Sequence, residues 1–172
     1  MVSRSVPLAI MLALLLGGCG FHPLYGERAD SAFDEDLAAI KVGTIPDRLG
    51  QELALSLRDG LNPHGFKVPT RFVLDVRLTP ERNDLAIRSD GTASRTQMMM
   101  IANFRLKEIA TDRLVLQGTT RTAVSFDALT DEYANVVARQ NAQERSLQDI
   151  SDDIRARLVA YVTRHRATAS AQ

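Results

Sequence analysis

Hydrophobic and polar residues alternate along three stretches in the middle of the chain, which is typical of strands with one buried face. The clearest stretch covers residues 72–79, and the other two cover residues 97–107 and 114–126. The positions predicted to face the core are Phe72, Leu74, Val76, Leu78, Met98, Met100, Ala102, Phe104, Leu106, Leu114, Leu116, Val124 and Phe126. Turn-forming residues lie between the stretches at 89–92 and 110–113, so we expect a meander of three strands.

Two other stretches have the spacing of amphipathic helices. The first covers residues 48–61 and has leucines at every fourth position, whereas Leu55 lies off this stripe. The second is predicted from residue 129 to about residue 164, with Thr130 as its N-cap. Its apolar stripe consists of Tyr133, Val136, Val137, Leu147, Ile150, Ile154, Leu158, Tyr161 and Val162. The polar residues 139–145 interrupt the stripe and predict a bend or a protrusion there.

A short strand at Ile40 and Val42 precedes the first helix, which gives the element order β-α-β-β-β-α. This order predicts an α+β fold, a two-layer sandwich in which both helices pack on one face of a four-stranded mixed sheet. The first strand reaches the second through a helix, so this pair is expected to be parallel. We expect one domain over residues 38–166, a mobile linker at 27–36 and a disordered tail at 167–172.

The N-terminus has the layout of a secretory signal. Arg4 supplies its positive charge, and residues 6–16 form an uncharged apolar run that is too short to span a bilayer. The run ends in Leu16-Gly17-Gly18-Cys19, which resembles a bacterial lipobox. That resemblance implies cleavage of residues 1–18, a lipid on Cys19 and a tether over residues 19–37. An ordinary signal peptide cut near a cysteine, or a buried N-terminal helix, is the alternative.

The charges balance, with 21 basic and 21 acidic residues, which argues against general nucleic-acid binding. Eighteen of the basic residues are arginines, and several lie on or beside the polar side of the predicted strands. These arginines can form a solvated face paired with nearby aspartates, or they can bind phosphate through their planar guanidinium groups. A GC-rich genome alone would also raise the arginine content. We find no phosphate loop, nucleophile elbow or metal-ligand spacing, and therefore expect neither an enzyme nor a cofactor.

Several short stretches together resemble one family, the lipopolysaccharide-assembly lipoproteins LptE in their alphaproteobacterial form. They are Gly20-Phe21-His22-Pro23-Leu24-Tyr25 after Cys19, Leu85-Ala86-Ile87-Arg88 with Asp90-Gly91, Val124-Ser125-Phe126-Asp127, Tyr133-Ala134, and Ala142 with Arg145. The resemblance implies a lipid-anchored protein on the periplasmic face of the outer membrane, a location that Gly20 after the cysteine also favours.

The resemblance further implies that the protein plugs an LptD-type β-barrel, helps the barrel to assemble and binds lipopolysaccharide in transit to the outer leaflet. The candidate ligands of the lipopolysaccharide phosphates are Arg88, Arg95, Arg105 and Arg121. The alternative function is a lipid-anchored binding or scaffold subunit of another envelope lipid-transport complex.

Overall fold

The computed structural model describes residues 29–87, 93–127 and 131–169. Three helices and four strands follow one another along these residues. They are α1 (Ala29–Ala38), β1 (Ile40–Val42), α2 (Asp47–Leu61), β2 (Phe72–Ile87), β3 (Ala93–Glu108), β4 (Arg113–Asp127) and α3 (Glu132–Ala169). From Ala32 onward the described residues belong to one compact unit. No helix among the described residues is both long and apolar enough to cross a membrane.

The strands form one mixed sheet in their sequence order, β1-β2-β3-β4. β1 pairs with β2 in parallel, whereas β2, β3 and β4 are antiparallel neighbours. The predicted fold class is therefore confirmed, with one helix more than the sequence pattern indicated. The turn predicted at residues 89–92 lies outside the described residues, but the turn predicted at 110–113 is present between β3 and β4. There Asp112 has a φ of 49° and reverses the chain.

The core lies between the sheet and the helices, on the sheet face that the alternating pattern predicted. Leu74, Met100 and Leu106 are completely buried on that face. α2 contributes Leu53, Leu57 and Leu61, and α3 contributes the C-terminal part of its apolar stripe. The buried residues of that part are Leu147, Ile150, Ile154, Leu158, Tyr161 and Val162. Leu55 is 57% exposed, as its position off the stripe predicted.

One strand position was predicted wrongly. Leu114 was assigned to the core face, yet it is 45% exposed. The register of β3 and β4 shifts at this point, because Leu106 pairs with Leu116 whereas Lys107 pairs with Leu114. Val115 is the extra residue of this bulge and packs against the core. The bulge therefore turns Leu114 to the other face of the sheet.

The start of α3 also differs from its prediction. Tyr133, Val136 and Val137 are exposed, so the apolar stripe meets the core only from Ala142 onward. The N-cap is Asp131, whose carboxylate accepts a hydrogen bond of 2.8 Å from the Tyr133 amide. Thr130, the predicted cap, lies outside the described residues. The helix runs without a break through the polar residues 139–145, as one element from Glu132 to Ala169.

Both ends of the described chain are more regular than expected. Residues 29–38, within the predicted linker and tether, form α1, and residues 167–169 of the predicted tail belong to α3. α1 contributes Leu37 to the core, with Phe33 packed beside it. Its Asp36 accepts one hydrogen bond of 2.9 Å from Arg71 and forms an ion pair with Arg166 at 3.1 Å. One carboxylate thus connects α1 to the start of β2 and to the end of α3.

Candidate functional site: the polar face of the sheet

The sheet face opposite the helices carries the odd-numbered residues of β3 together with their partners on β2 and β4. The register places these residues in rows across three strands. Six of these rows, starting beside β1, are Val73–Lys107–Leu114, Asp75–Arg105–Gln117, Arg77–Asn103–Thr119, Thr79–Ile101–Arg121, Glu81–Met99–Ala123 and Asn83–Gln97–Ser125. Most of these side chains are exposed, and Ile101 and Met99 are half-buried at the centre. Successive side chains of a strand point to opposite faces of the sheet, so the apolar residues between these polar ones point to the core.

The predicted arginines do not converge on one point. Arg95 and Arg105 are ten residues apart on β3, or about 33 Å at the usual rise of a strand. Arg121 lies between them, opposite Ile101. Arg88 and the lipidation candidate Cys19 lie outside the described residues. The face therefore offers separate positive positions along its length instead of one cluster of the four predicted residues.

Arg95 marks the end of the face at the β2–β3 connection. It is paired in register with Asp127, and its Nη1 lies 3.9 Å from the Asp127 carboxylate. Both side chains are more than half exposed, so this contact is a weak surface ion pair. Arg95 is therefore accessible to a second anion in spite of its partner.

The opposite end of the face, near β1, contains a groove of about 840 Å³. Thr44 and Pro46 lie at its rim, after β1. Its charged residues are Asp75, Arg77, Arg105 and Lys107. Among the predicted arginines that the structure describes, Arg105 is thus the one that lies with other cations. Arg77 and Lys107 were absent from the predicted set, and only the strand register, which joins β2 to β3, places them beside Arg105.

Other kinds of chemistry have little support in the part of the chain that the structure describes. No group of three or more His, Cys, Asp or Glu residues could hold a metal ion there. Burial raises the pKa of Tyr161, and the Glu108 carboxylate raises it further, while Arg113 and Arg71 oppose the shift. Tyr161 packs against Phe72 and His165 on the core side, away from the polar face.

Known proteins share this architecture. A candidate lipoprotein from Caulobacter crescentus CB15 superposes with a TM-score of 0.60 at 24% identity, covering 77% of this chain and 96% of that one. A minor lipoprotein from Acinetobacter baumannii has a TM-score of 0.55 at 18% identity, covering 70% and 91%. An uncharacterized protein from Rickettsia prowazekii (strain Madrid E) is 23% identical over 155 residues, which cover 90% of this chain and 96% of that protein.

The fold therefore defines the class, a two-layer α+β domain of the type found in these bacterial lipoproteins. The family model for lipopolysaccharide assembly, LptE, matches residues 36–158, which is more than half of the chain. The chain belongs to the LptE family. Members of this family are non-enzymatic lipoproteins of the cell envelope that act with LptD in lipopolysaccharide assembly.

Proposed function

We propose that this protein is the lipid-anchored outer-membrane subunit that plugs an LptD-type β-barrel, helps that barrel to assemble and binds lipopolysaccharide during its transport to the outer leaflet. The observation that supports the proposal is a polar sheet face, covered by none of the described helices, in a member of the LptE family. Barrel lumens are lined by polar side chains, so a plug inside one needs a polar exterior. The helices cover the apolar face of the same sheet, which leaves the polar face for a partner.

The proposed anchor is a lipid on Cys19 after removal of residues 1–18. α1 packs against the core through Phe33 and Leu37, so the tether between the lipid and the folded domain is residues 19–28 in this proposal. The folded domain then extends somewhat beyond the predicted residues 38–166 at its N-terminal side. Two or three acyl chains hold a protein firmly to a membrane, because each buried methylene contributes about 0.8 kcal/mol.

Purification of the full chain tests the barrel partner. A C-terminal tag would be used to purify the protein after detergent extraction of the envelope, and the stoichiometric partner would be identified. We expect an outer-membrane β-barrel of the LptD type. An inner-membrane transporter in its place would contradict the proposal and would favour the alternative, a scaffold subunit of another lipid-transport complex.

The hairpin end of the polar face tests lipopolysaccharide binding. The double variant Arg88→Glu, Arg95→Glu reverses one charge in the sequence between β2 and β3 and one at the exposed Arg95, and exposed substitutions such as the latter usually change stability little. We expect weaker binding of purified lipopolysaccharide, with the largest loss at low salt, where exposed charges are least screened. Barrel co-purification serves as the control and should persist. Binding as tight as that of the parent would clear these two arginines, leaving Arg105 and Arg121.

A further inference from the structure

The groove beside β1 has a surplus of positive charge that no ion pair among the described residues neutralises. Arg105 and Arg77 are diagonal neighbours across β3 and β2, about 7–8 Å apart between Cα atoms. Lys107 follows Arg105 on the same side of β3, about 7 Å further along. Among the ion pairs of the described residues, none includes Arg77, Arg105 or Lys107. Arg105 thus has a second cation on either side of it along the sheet, Lys107 on β3 and Arg77 on β2.

The single carboxylate that lines the groove forms no ion pair with these cations. Asp75 pairs with Arg105 in register, yet the two side chains form no ion pair. Its Oδ1 lies instead over Gly43, just 3.0 Å from where a Cβ atom of that residue would be. Gly43 has no side chain, and Asp75 uses the space this leaves beside β1. The net charge of the groove is therefore positive by two, from three cations and one carboxylate.

Neutral polar groups complete the floor of the groove. The Thr119 hydroxyl donates a hydrogen bond of 2.7 Å to Oδ1 of Asn103. This bond fixes the Asn103 amide and leaves its Nδ2 as a donor that no hydrogen bond among the described residues uses. Gln117 lies beside them. Amides and hydroxyls at this density suit the hydroxyl groups of a sugar, while guanidinium groups suit phosphate or carboxylate oxygens.

We infer that this groove binds the acidic saccharide part of a lipopolysaccharide, with Arg77, Arg105 and Lys107 holding a phosphate or carboxylate and Asn103 contacting the sugar. The inference rests on the proposed function and assigns the headgroup, not the acyl chains, to the polar face. Val76 and Phe104 border the groove, but their side chains are buried on the core side. These two apolar side chains are therefore not available to acyl chains, and the groups proposed to recognise the ligand are charged or form hydrogen bonds.

Binding to the full chain in detergent tests the groove with defined probes. The probes are glucosamine 1-phosphate for phosphate, galacturonic acid for carboxylate, N-acetylglucosamine as the neutral sugar, and purified lipopolysaccharide. The groove variant is Arg77→Gln, Arg105→Gln, and its matched control is Arg48→Gln, Arg58→Gln on α2, which removes the same charge from the helical layer. Circular dichroism would confirm that both variants remain folded.

We expect the groove variant to raise the Kd for lipopolysaccharide and for at least one acidic sugar tenfold or more, and the control to leave both unchanged. The acidic sugar that loses affinity identifies phosphate or carboxylate as the recognised anion. A neutral sugar bound as tightly as the acidic ones would overturn the inference. So would a folded groove variant that binds every probe like the parent.

The groove and the proposed function can fail separately. If the parent binds lipopolysaccharide and the groove variant binds it equally well, the groove inference fails while the proposed function stands. The parent could bind an acidic sugar but no lipopolysaccharide, with the groove variant losing affinity for that sugar. The groove would then be an anion site, and the proposed lipopolysaccharide binding would fail. If the parent binds neither lipopolysaccharide nor an acidic sugar, both fail.

Discussion

Two glycines of α2 show how much one methyl group can matter. Gly50 is buried against Ile45, and a Cβ atom there would lie 2.6 Å from Ile45 Cγ2 and 3.0 Å from the Ile45 backbone carbon. Gly60 lies in the same helix, and its Cβ would lie 3.4 Å from the flexible side chain of Arg155. The first position needs glycine for packing, whereas the second does not.

We therefore expect Gly50→Ala and Gly60→Ala to have opposite effects on the free energy of unfolding. Overpacking at Gly50 should lower it by about 1–3 kcal/mol, because the Ile45 backbone cannot yield easily. Alanine at Gly60 should raise it by about 0.5–1 kcal/mol, since glycine is a poor helix former. Urea unfolding of both variants measures the two effects. Equal changes of the same sign would contradict the packing of Ile45 on α2.

Tyr161 provides a prediction on pH at the same scale. Its pKa is raised above the ordinary 10.0, chiefly by burial, so the folded protein favours the neutral phenol. The stability that this shift contributes is complete below pH 10 and is lost as the pH rises through the higher pKa of the folded state. The urea midpoint should therefore fall less from pH 8 to pH 11 in Tyr161→Phe than in the parent. The same alkaline loss in both proteins would show that Tyr161 is not responsible.

At the scale of elements, alternation and helical spacing were sufficient to predict the sheet, its core face and two of the helices. Leu74 and Leu106 lie where a period of two places them. Leu114 does not, because the bulge at Val115 depends on pairing with β3, which residues 114–126 do not encode locally. Val136 has core spacing but is 48% exposed, because periodicity does not reveal where the packing partner of a helix ends.

α1 was missed for a related reason. Residues 29–38 are acidic and weakly amphipathic, and they join the fold through few contacts, namely Phe33, Leu37 and the two arginines at Asp36. The polar face was predicted as a surface, but the groove within it was not. Arg77, Arg105 and Lys107 lie on two strands, and only the register reveals that they are neighbours.

The carboxylate of Asp36 should secure α1 to the rest of the fold. Asp36→Asn removes both ion pairs, each exposed enough to contribute about 0.2–1 kcal/mol, so the total loss should be about 1 kcal/mol. Asp34→Asn is the matched control, because it removes the same charge from α1 without a described ion pair. For a chain of this size the Tm should fall by about 2–4 °C in Asp36→Asn alone. The difference should shrink in 1 M salt, and equal Tm values would contradict the role of Asp36.

At the scale of the whole molecule, the two faces of the sheet differ in their surroundings. The helices and the apolar sheet face form the core, while the polar face carries the groove in which we propose that a ligand binds. Net charge contributes little to anion binding, since basic and acidic residues are equal in number. Affinity for an anionic lipid must then arise from local arrangements such as Arg77, Arg105 and Lys107. The proposed lipid anchor would complement this arrangement, because it would confine the domain to the membrane where both proposed partners are found.

The proposed lipid anchor at Cys19 and the sorting signal at Gly20 can be tested separately. Cys19→Ala removes the sulfur to which a lipid would be attached, so the protein should lose its acyl mass and leave the membrane fraction or accumulate as precursor. Gly20→Asp keeps the sulfur, and an aspartate at this position retains similar bacterial lipoproteins at the inner membrane. We expect that variant to be acylated like the parent but to move from the outer to the inner membrane fraction.

Mass spectrometry measures the acylation of both variants, and density fractionation measures their membrane location. An unchanged mass in Cys19→Ala would refute the lipid anchor, whereas an acylated Gly20→Asp protein that stays in the outer membrane would refute only the role of Gly20.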